Sequence, residues 1–169
     1  MNDEIDEKLL TILQQDARTS NAEIARQLGM APSAIFERIR KLEARGVITG
    51  YETRLNPRAL EAGLLAFVSV RDEGAYGTLE TGAALAAIPE VQEVHNVAGE
   101  DCYLVKVRVA DTEALARLLR ESFGAIPSIR STRTTIVLDT LKETGQINLK
   151  RSERAVVEKD REERPDGER

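Results

Sequence analysis

The stretch VHNVAGEDCYLVKV, residues 94–107, gathers the chain's single histidine, His95, its single cysteine, Cys102, and an adjacent acidic pair, Glu100 and Asp101, beside Gly99. Imidazole, thiol and carboxylate are the ligands of a zinc site and the working groups of a thiol enzyme. Spacing argues against both. If Gly99 to Cys102 form a hairpin turn, Ala98 faces Tyr103 and His95 faces Lys106. His95 then stands about three strand positions from the turn, on the order of 10 Å at roughly 3.3 Å per residue, too far to share a metal with Cys102. A structural zinc wants four ligands at tight spacing, and the chain has no second cysteine or histidine. Cys102 has no neighbouring base, and Glu100 and Asp101, as sequence neighbours, point apart instead of forming an acid/base pair. No catalytic residue, metal ligand or cofactor is expected, and the chain reads as a non-enzyme. Two readings of the turn stay open. It is a recognition site, where glycine N–H groups hold a carboxylate because no side chain blocks approach, or it is an ordinary surface hairpin.

The elements that must position this turn begin at Leu64. LLAFVSV is a β-type run, TLETGAALAAI is helical, VQEVHNVA and CYLVKVRV are strands around the turn, TEALARLLRESF is helical, and IRSTRTTIVL is a strand. AIPEV at 87–91 and AIPSI at 125–129 each join a helix to a strand, so the order β-α-β-β-α-β contains a tandem βαβ repeat. That is the signature of a ferredoxin-like fold. Alternation on the third strand sends Tyr103, Val105, Val107 and Val109 toward the helices. Leu104, Lys106 and Arg108 go to the opposite face, which a dimer would partly cover.

The first third has a different rhythm. Ile5, Leu9, Ile12 and Leu13 give a helix over about residues 4–15. Ser20 with Glu23 forms a capping box that starts a second helix, stopped at Gly29. Pro32 suits the first turn of a third helix, whose buried stripe is Ile35, Ile39 and Leu42 and which ends at Gly46. Three short helices, the last two joined by a tight glycine turn, read as a helix-turn-helix, and the third helix of such a unit meets base edges with its N-terminal half. The buried stripe leaves Ser33, Ala34, Glu37, Arg38, Arg40 and Lys41 facing outward. Ser33 and Arg38 are the leading groove candidates, and Arg40 and Lys41 the phosphate candidates. The competing reading is a small helical subdomain with a solvated basic face. VITGYETRL reads as a strand leading away.

Charge separates these readings. The whole chain carries −5, yet residues 1–30 hold six acids against three bases, whereas residues 31–58 hold six bases against three acids. Positive charge is thus collected around the third helix, as DNA contact requires. One cysteine excludes an internal disulfide framework and fits a reducing compartment. The start MNDEIDEKLL lacks an apolar signal core, and no run approaches the roughly 18 apolar residues of a membrane span. A soluble cytoplasmic protein is expected, with a charged, disordered tail over residues 151–169.

IDEKLLTILQQDARTSNAEIARQLGMAPSAIFERIRKLEARGVITGYETRLNP resembles the N-terminal domain of the leucine-responsive/asparagine-regulator (Lrp/AsnC) family of transcription factors. The likeness rests on Asp6 with Leu9 and Leu10, DAR, EIA and RI..LE..GVI.GY at unbroken spacing. Ala31 departs from the family's Ser or Thr cap, a loss of about 1 kcal/mol. The second half resembles the family's effector-sensing RAM domain, through KVRVAD and STRTTIVLDTLKE. The resemblance implies an α+β chain of four parts: a winged-helix-like helix-turn-helix domain over 1–50, a linker strand over 51–62, a ferredoxin-like RAM domain over 63–150, and the tail. It further implies a nucleoid-associated regulator that binds double-stranded DNA as a homodimer, tetramer or octamer. An effector pocket at the dimer interface would use Val97, Ala98, Gly99, Glu100, Asp101 and Cys102 with Thr132 and Thr134 of the last strand. The family has Asp where this chain has Cys102, and the acid here stands one place earlier, at Asp101. The implied function is regulation of transcription by an amino acid or related metabolite. The alternatives are a ligand-binding regulatory subunit of a metabolic enzyme and an architectural DNA-binding protein without effector.

Overall fold

The computed structural model describes residues 3–73 and 79–149, and the chain divides into two units. One unit holds the chain up to Thr53 together with the segment that begins at Thr144; the other holds Arg54–Glu143. The charged tail expected to be disordered lies outside the described residues.

The helical unit consists of α1 (Glu4–Gln15), α2 (Asn21–Leu28) and α3 (Pro32–Ala44). Each start has a physical cause. The Asp3 side chain accepts the Asp6 amide at 2.8 Å, capping α1. Ser20 accepts the Glu23 amide at 3.2 Å, but the return half of the box is absent, because the Glu23 carboxylate is taken by Arg26 and Gln27. Ala31 offers α3 no side-chain cap, and Pro32 fills the first position, where a missing N–H costs nothing. Gly29, at φ +67°, closes α2 in the left-handed region that glycine tolerates best. Leu9, Ile24, Ile35 and Leu42 form the core, as their spacing predicts. Leu149, from the returning segment, packs against it.

The second unit contains β1 (Leu64–Asp72), α4 (Glu80–Ala86), β2 (Val91–Asn96), β3 (Tyr103–Val109), α5 (Thr112–Arg117) and β4 (Ile129–Ile136). The four strands lie in the order β2-β3-β1-β4 and every neighbouring pair is antiparallel, which is the ferredoxin-like arrangement. Tyr103, Val105, Val107 and Val109 are buried with Val68, Val70, Leu85 and Phe123, so the alternation on β3 has the predicted sense. α5 runs on through a π-helical turn, Leu118–Phe123. Gly124 closes that turn by donating an amide hydrogen bond of 3.0 Å to the Leu119 carbonyl. A Cβ there would collide with the Arg120 carbonyl oxygen, so this close approach requires glycine.

Two expectations need correction. The strand read in VITGYETRL does not form; residues 47–55 are irregular and lead to a short 3-10 turn, Pro57–Leu60. β-rich composition makes a strand only where a partner edge exists, and among the described residues none pairs with this segment. The hairpin register is two residues off: Asn96 pairs with Tyr103, His95 with Leu104 and Glu93 with Lys106. The Val97 amide donates to the Cys102 carbonyl at 3.0 Å, which makes residues 98–101 the loop and returns Cys102 to the ladder. The segment from Thr144 onward groups with the helices. Gln14 fastens that segment: its side chain accepts the Ile147 amide at 2.6 Å and donates to the Ile147 carbonyl at 3.1 Å.

Candidate DNA-binding face and ligand-facing turn

Burial of Ile35 and Leu42 fixes how α3 is rotated, and with it which side chains reach solvent. Ser33, Glu37, Arg40 and Lys41 are exposed, and Ala34 is half-buried. Arg40 approaches Glu37 only loosely, at 3.7 Å. Arg38 departs from the sequence expectation. Its Nη1 donates to Asp3 Oδ2 at 2.8 Å and to Asp6 Oδ1 at 2.7 Å, with Asp6 only 8% exposed. These pairs hold the guanidinium above its ordinary pKa, Asp3 contributing more than Asp6. Asp3 in turn is held below the usual carboxylate range, first by the Asp6 amide and then by Arg38. Arg38 therefore joins α3 to α1 through two carboxylates. Phe36, by contrast, was absent from the expected outward set and is 55% exposed. Its position immediately after Ile35, about 100° around the helix from it, was the signal that could have found it.

In the second unit the loop 98–101 stands at the end of β2 and β3. Gly99 adopts φ +135°, and no heavy atom lies within 4 Å of where its Cβ would be, so the backbone is both special in conformation and open to approach. Asp101 Oδ2 accepts a hydrogen bond from Arg133 Nη2 of β4 at 2.6 Å. Arg133 went unnoticed in the sequence, since only the strand register brings residues so distant in sequence together. Val70 links the two strands at this end, facing Tyr103 on β3 and Thr132 on β4. Thr132 and Thr134 face Val70 and Val68 across the ladder, so their side chains share the helix-covered side of the sheet. Arg133 points to the other side. The structure thus pairs Asp101, in the same loop as Gly99, with Arg133 and leaves the threonine pair on the opposite face within one chain. Glu100 and Ala98 complete the exposed loop, Val97 is half-buried, and Cys102 is half-buried against the sheet core. His95 pairs with Glu93 at 3.1 Å, and among the described residues no three His, Cys, Asp or Glu side chains are grouped as a metal requires.

The uncovered face of the sheet is tied by charge. Lys106, with a side chain only 11% exposed, bonds Glu93 at 2.9 Å and also Glu143; Arg108 bonds the same Glu143 at 2.7 Å. Burial pushes Lys106 downward, but Glu143 and Glu93 outweigh it and hold the ammonium above its ordinary value. Both carboxylates are held below their usual range, chiefly by Lys106. This network seats the end of the sheet unit on β3, the strand that carries the glycine loop.

A three-helix unit with a basic exposed third helix, joined in one chain to a ferredoxin-like unit with an open glycine loop, has the parts of a ligand-binding helix-turn-helix regulator. Residues 2–49 match the winged helix-turn-helix DNA-binding family model, and residues 65–147 match the Lrp/AsnC ligand binding domain. The leucine-responsive regulatory protein of Salmonella typhimurium is 39% identical over 150 residues, which span 88% of this chain and 92% of the relative. Among solved structures, a transcriptional regulator of Neisseria meningitidis in complex with L-methionine is 26% identical, with a TM-score of 0.83 over 89% of this chain and 98% of its own. A feast or famine regulatory protein of Mycobacterium tuberculosis, also complexed with L-methionine, is 38% identical, with a TM-score of 0.79 over 86% and 97% of the two chains. The chain belongs to the Lrp/AsnC family, as its residues suggested. It is a DNA-binding transcriptional regulator with a ligand-binding domain.

Proposed function

We propose that this regulator adjusts occupancy of specific DNA sites to the level of an amino acid, and does so as a cytoplasmic, nucleoid-associated homodimer or higher assembly. On this reading α3 lies in the major groove. Ser33, Ala34 and Glu37 face base edges, and Arg40 and Lys41 meet phosphates, with half-sites about 34 Å apart or a multiple of that. Arg38 acts indirectly, by fixing the angle of α3. Support comes from Arg40 and Lys41, which α3 leaves exposed, and from the local excess of bases over residues 31–58.

The ligand reading rests on one observation above the others. Asp101 and Arg133 stand paired next to an unobstructed Gly99. An α-amino acid carries an ammonium and a carboxylate on one carbon, and this pair offers the opposite sign to each, while open backbone N–H groups of the loop can share the carboxylate. Where the family resemblance puts an aspartate, this chain has the uncharged Cys102, packed toward the sheet core, so one charge fewer stands near the ligand and an apolar side chain is favoured. The methionine held by two structural neighbours fits that chemistry. The chain carries out no reaction in this account.

A thermal-shift screen of the full-length protein against the twenty amino acids tests the ligand reading. An apolar amino acid at 100 times its Kd should add about 2.7 kcal/mol of stability. No shift with any of them would leave a DNA-binding protein without this effector class. Competition with random DNA tests the rest: equal competition at equal concentration would replace a specific regulator with an architectural protein.

A further inference from the structure

We propose that Phe36 reads thymine, its ring lying against the 5-methyl group in the major groove. The inference rests on the DNA-facing placement of α3 and names one element of its specificity. Among the described residues of α1 to α3, Phe36 is the one large apolar side chain left exposed, at 55%. A lone exposed apolar residue is ordinary on a protein surface; its surroundings are not. Phe36 is the fifth residue of α3, in the half of the helix that meets base edges. Of its helical neighbours three and four residues away, Ser33 and Arg40 are polar and exposed, Pro32 is exposed and Ile39 is half-buried, so the ring stands out beside a polar and cationic surface. Arg40 and Lys41 beside it complement a polyanion better than an apolar protein groove. The floor of the major groove presents one apolar feature, the thymine methyl, and aromatic side chains are among its natural contacts. A ring that exposes its area in the free protein gains by covering that methyl.

Replacing thymine with deoxyuridine removes the methyl and leaves every hydrogen-bonding group in place. The probe is a duplex selected by the full-length protein from a random-sequence pool, with each thymine replaced in turn. At one or two positions per half-site the replacement should weaken wild-type binding by about fourfold, the equivalent of one buried methyl. Phe36→Ala should bind more weakly and treat the thymine and uracil duplexes alike, while Phe36→Leu should retain part of the discrimination. Circular dichroism melting shows that each variant is folded. Wild-type indifference at every thymine, or unchanged discrimination in a folded Phe36→Ala, overturns the proposal while leaving DNA binding intact. A change in sedimentation mass of Phe36→Ala without DNA overturns it in favour of an interface between copies. Failure to enrich any duplex overturns the DNA reading of α3 itself, and this proposal with it.

Discussion

Arg38 sits on the helix that faces DNA in the proposed complex, yet one guanidinium nitrogen is held 2.8 Å from Asp3 and 2.7 Å from Asp6. Residue type alone could not separate it from Arg40, because both are arginines on one short helix. What separates them is rotation: Arg38 lies about 60° from the buried Ile35 and Arg40 about 140°. Asp6 is buried, so deleting its cation leaves a carboxylate with no compensating charge. Arg38→Ala should lower the stability of the helical unit by roughly 1–2 kcal/mol, read from the urea midpoint, with the salt dependence of DNA binding almost unchanged. Arg40→Ala should do the reverse: its stability is that of wild type, and the slope of log affinity against log salt falls by about 1. A reduced slope in Arg38→Ala at full stability would return that residue to the DNA interface. Gly99 carries a different constraint, since φ +135° lies where side chains are rarely accommodated. Gly99→Val should remain folded, lose on the order of 1–3 kcal/mol to backbone strain, and show no amino-acid-induced melting shift. A retained shift removes the loop from the ligand site.

At the scale of elements, periodicity made the helices and strands legible while their joints were not. α1, α2, α3 and the alternation on β3 follow from apolar spacing, because each element has one face that must be covered. The hairpin register did not, since the loop could close at several lengths and only the Val97–Cys102 bond of 3.0 Å selects residues 98–101. The failed linker strand has the same origin: pairing is a property of two segments, and the sequence displays one at a time. The charge network on β3 is also an outcome of pairing, and it has a pH signature. Glu93 and Glu143 have folded pKa values below their ordinary 4.5, so the stability they confer is present in full above that range and is lost as pH falls through the depressed values. Glu143→Gln should therefore be less stable than wild type near neutrality, and the gap should close as pH falls below 4.5 through the depressed value of Glu143. Thermal melts across pH 3–7 check this, and a gap that stays constant over the range rules the network out as a source of acid sensitivity.

For the molecule as a whole, the family and the two-part organisation were readable because they are written in long, ordered patterns. The sites were readable only in part. The glycine loop announced itself through rare residues, but its charged partner Arg133 is brought in by the β1–β4 ladder, and the threonine pair expected beside it stands on the other face of the sheet. The chain crosses between its two units twice, near Thr53 and near Glu143, and the second crossing begins one residue beyond the carboxylate that clamps Lys106 and Arg108. In the proposed function, amino-acid occupancy is coupled to DNA occupancy. The most direct measurement of that coupling is the affinity of the full-length protein for its selected duplex, by fluorescence anisotropy at fixed salt, with and without a saturating amino acid. A change of about 5- to 150-fold, matched by an equal change in amino-acid affinity when DNA is saturating, is the predicted result. An amino acid that binds yet leaves the DNA affinity unchanged would contradict the account.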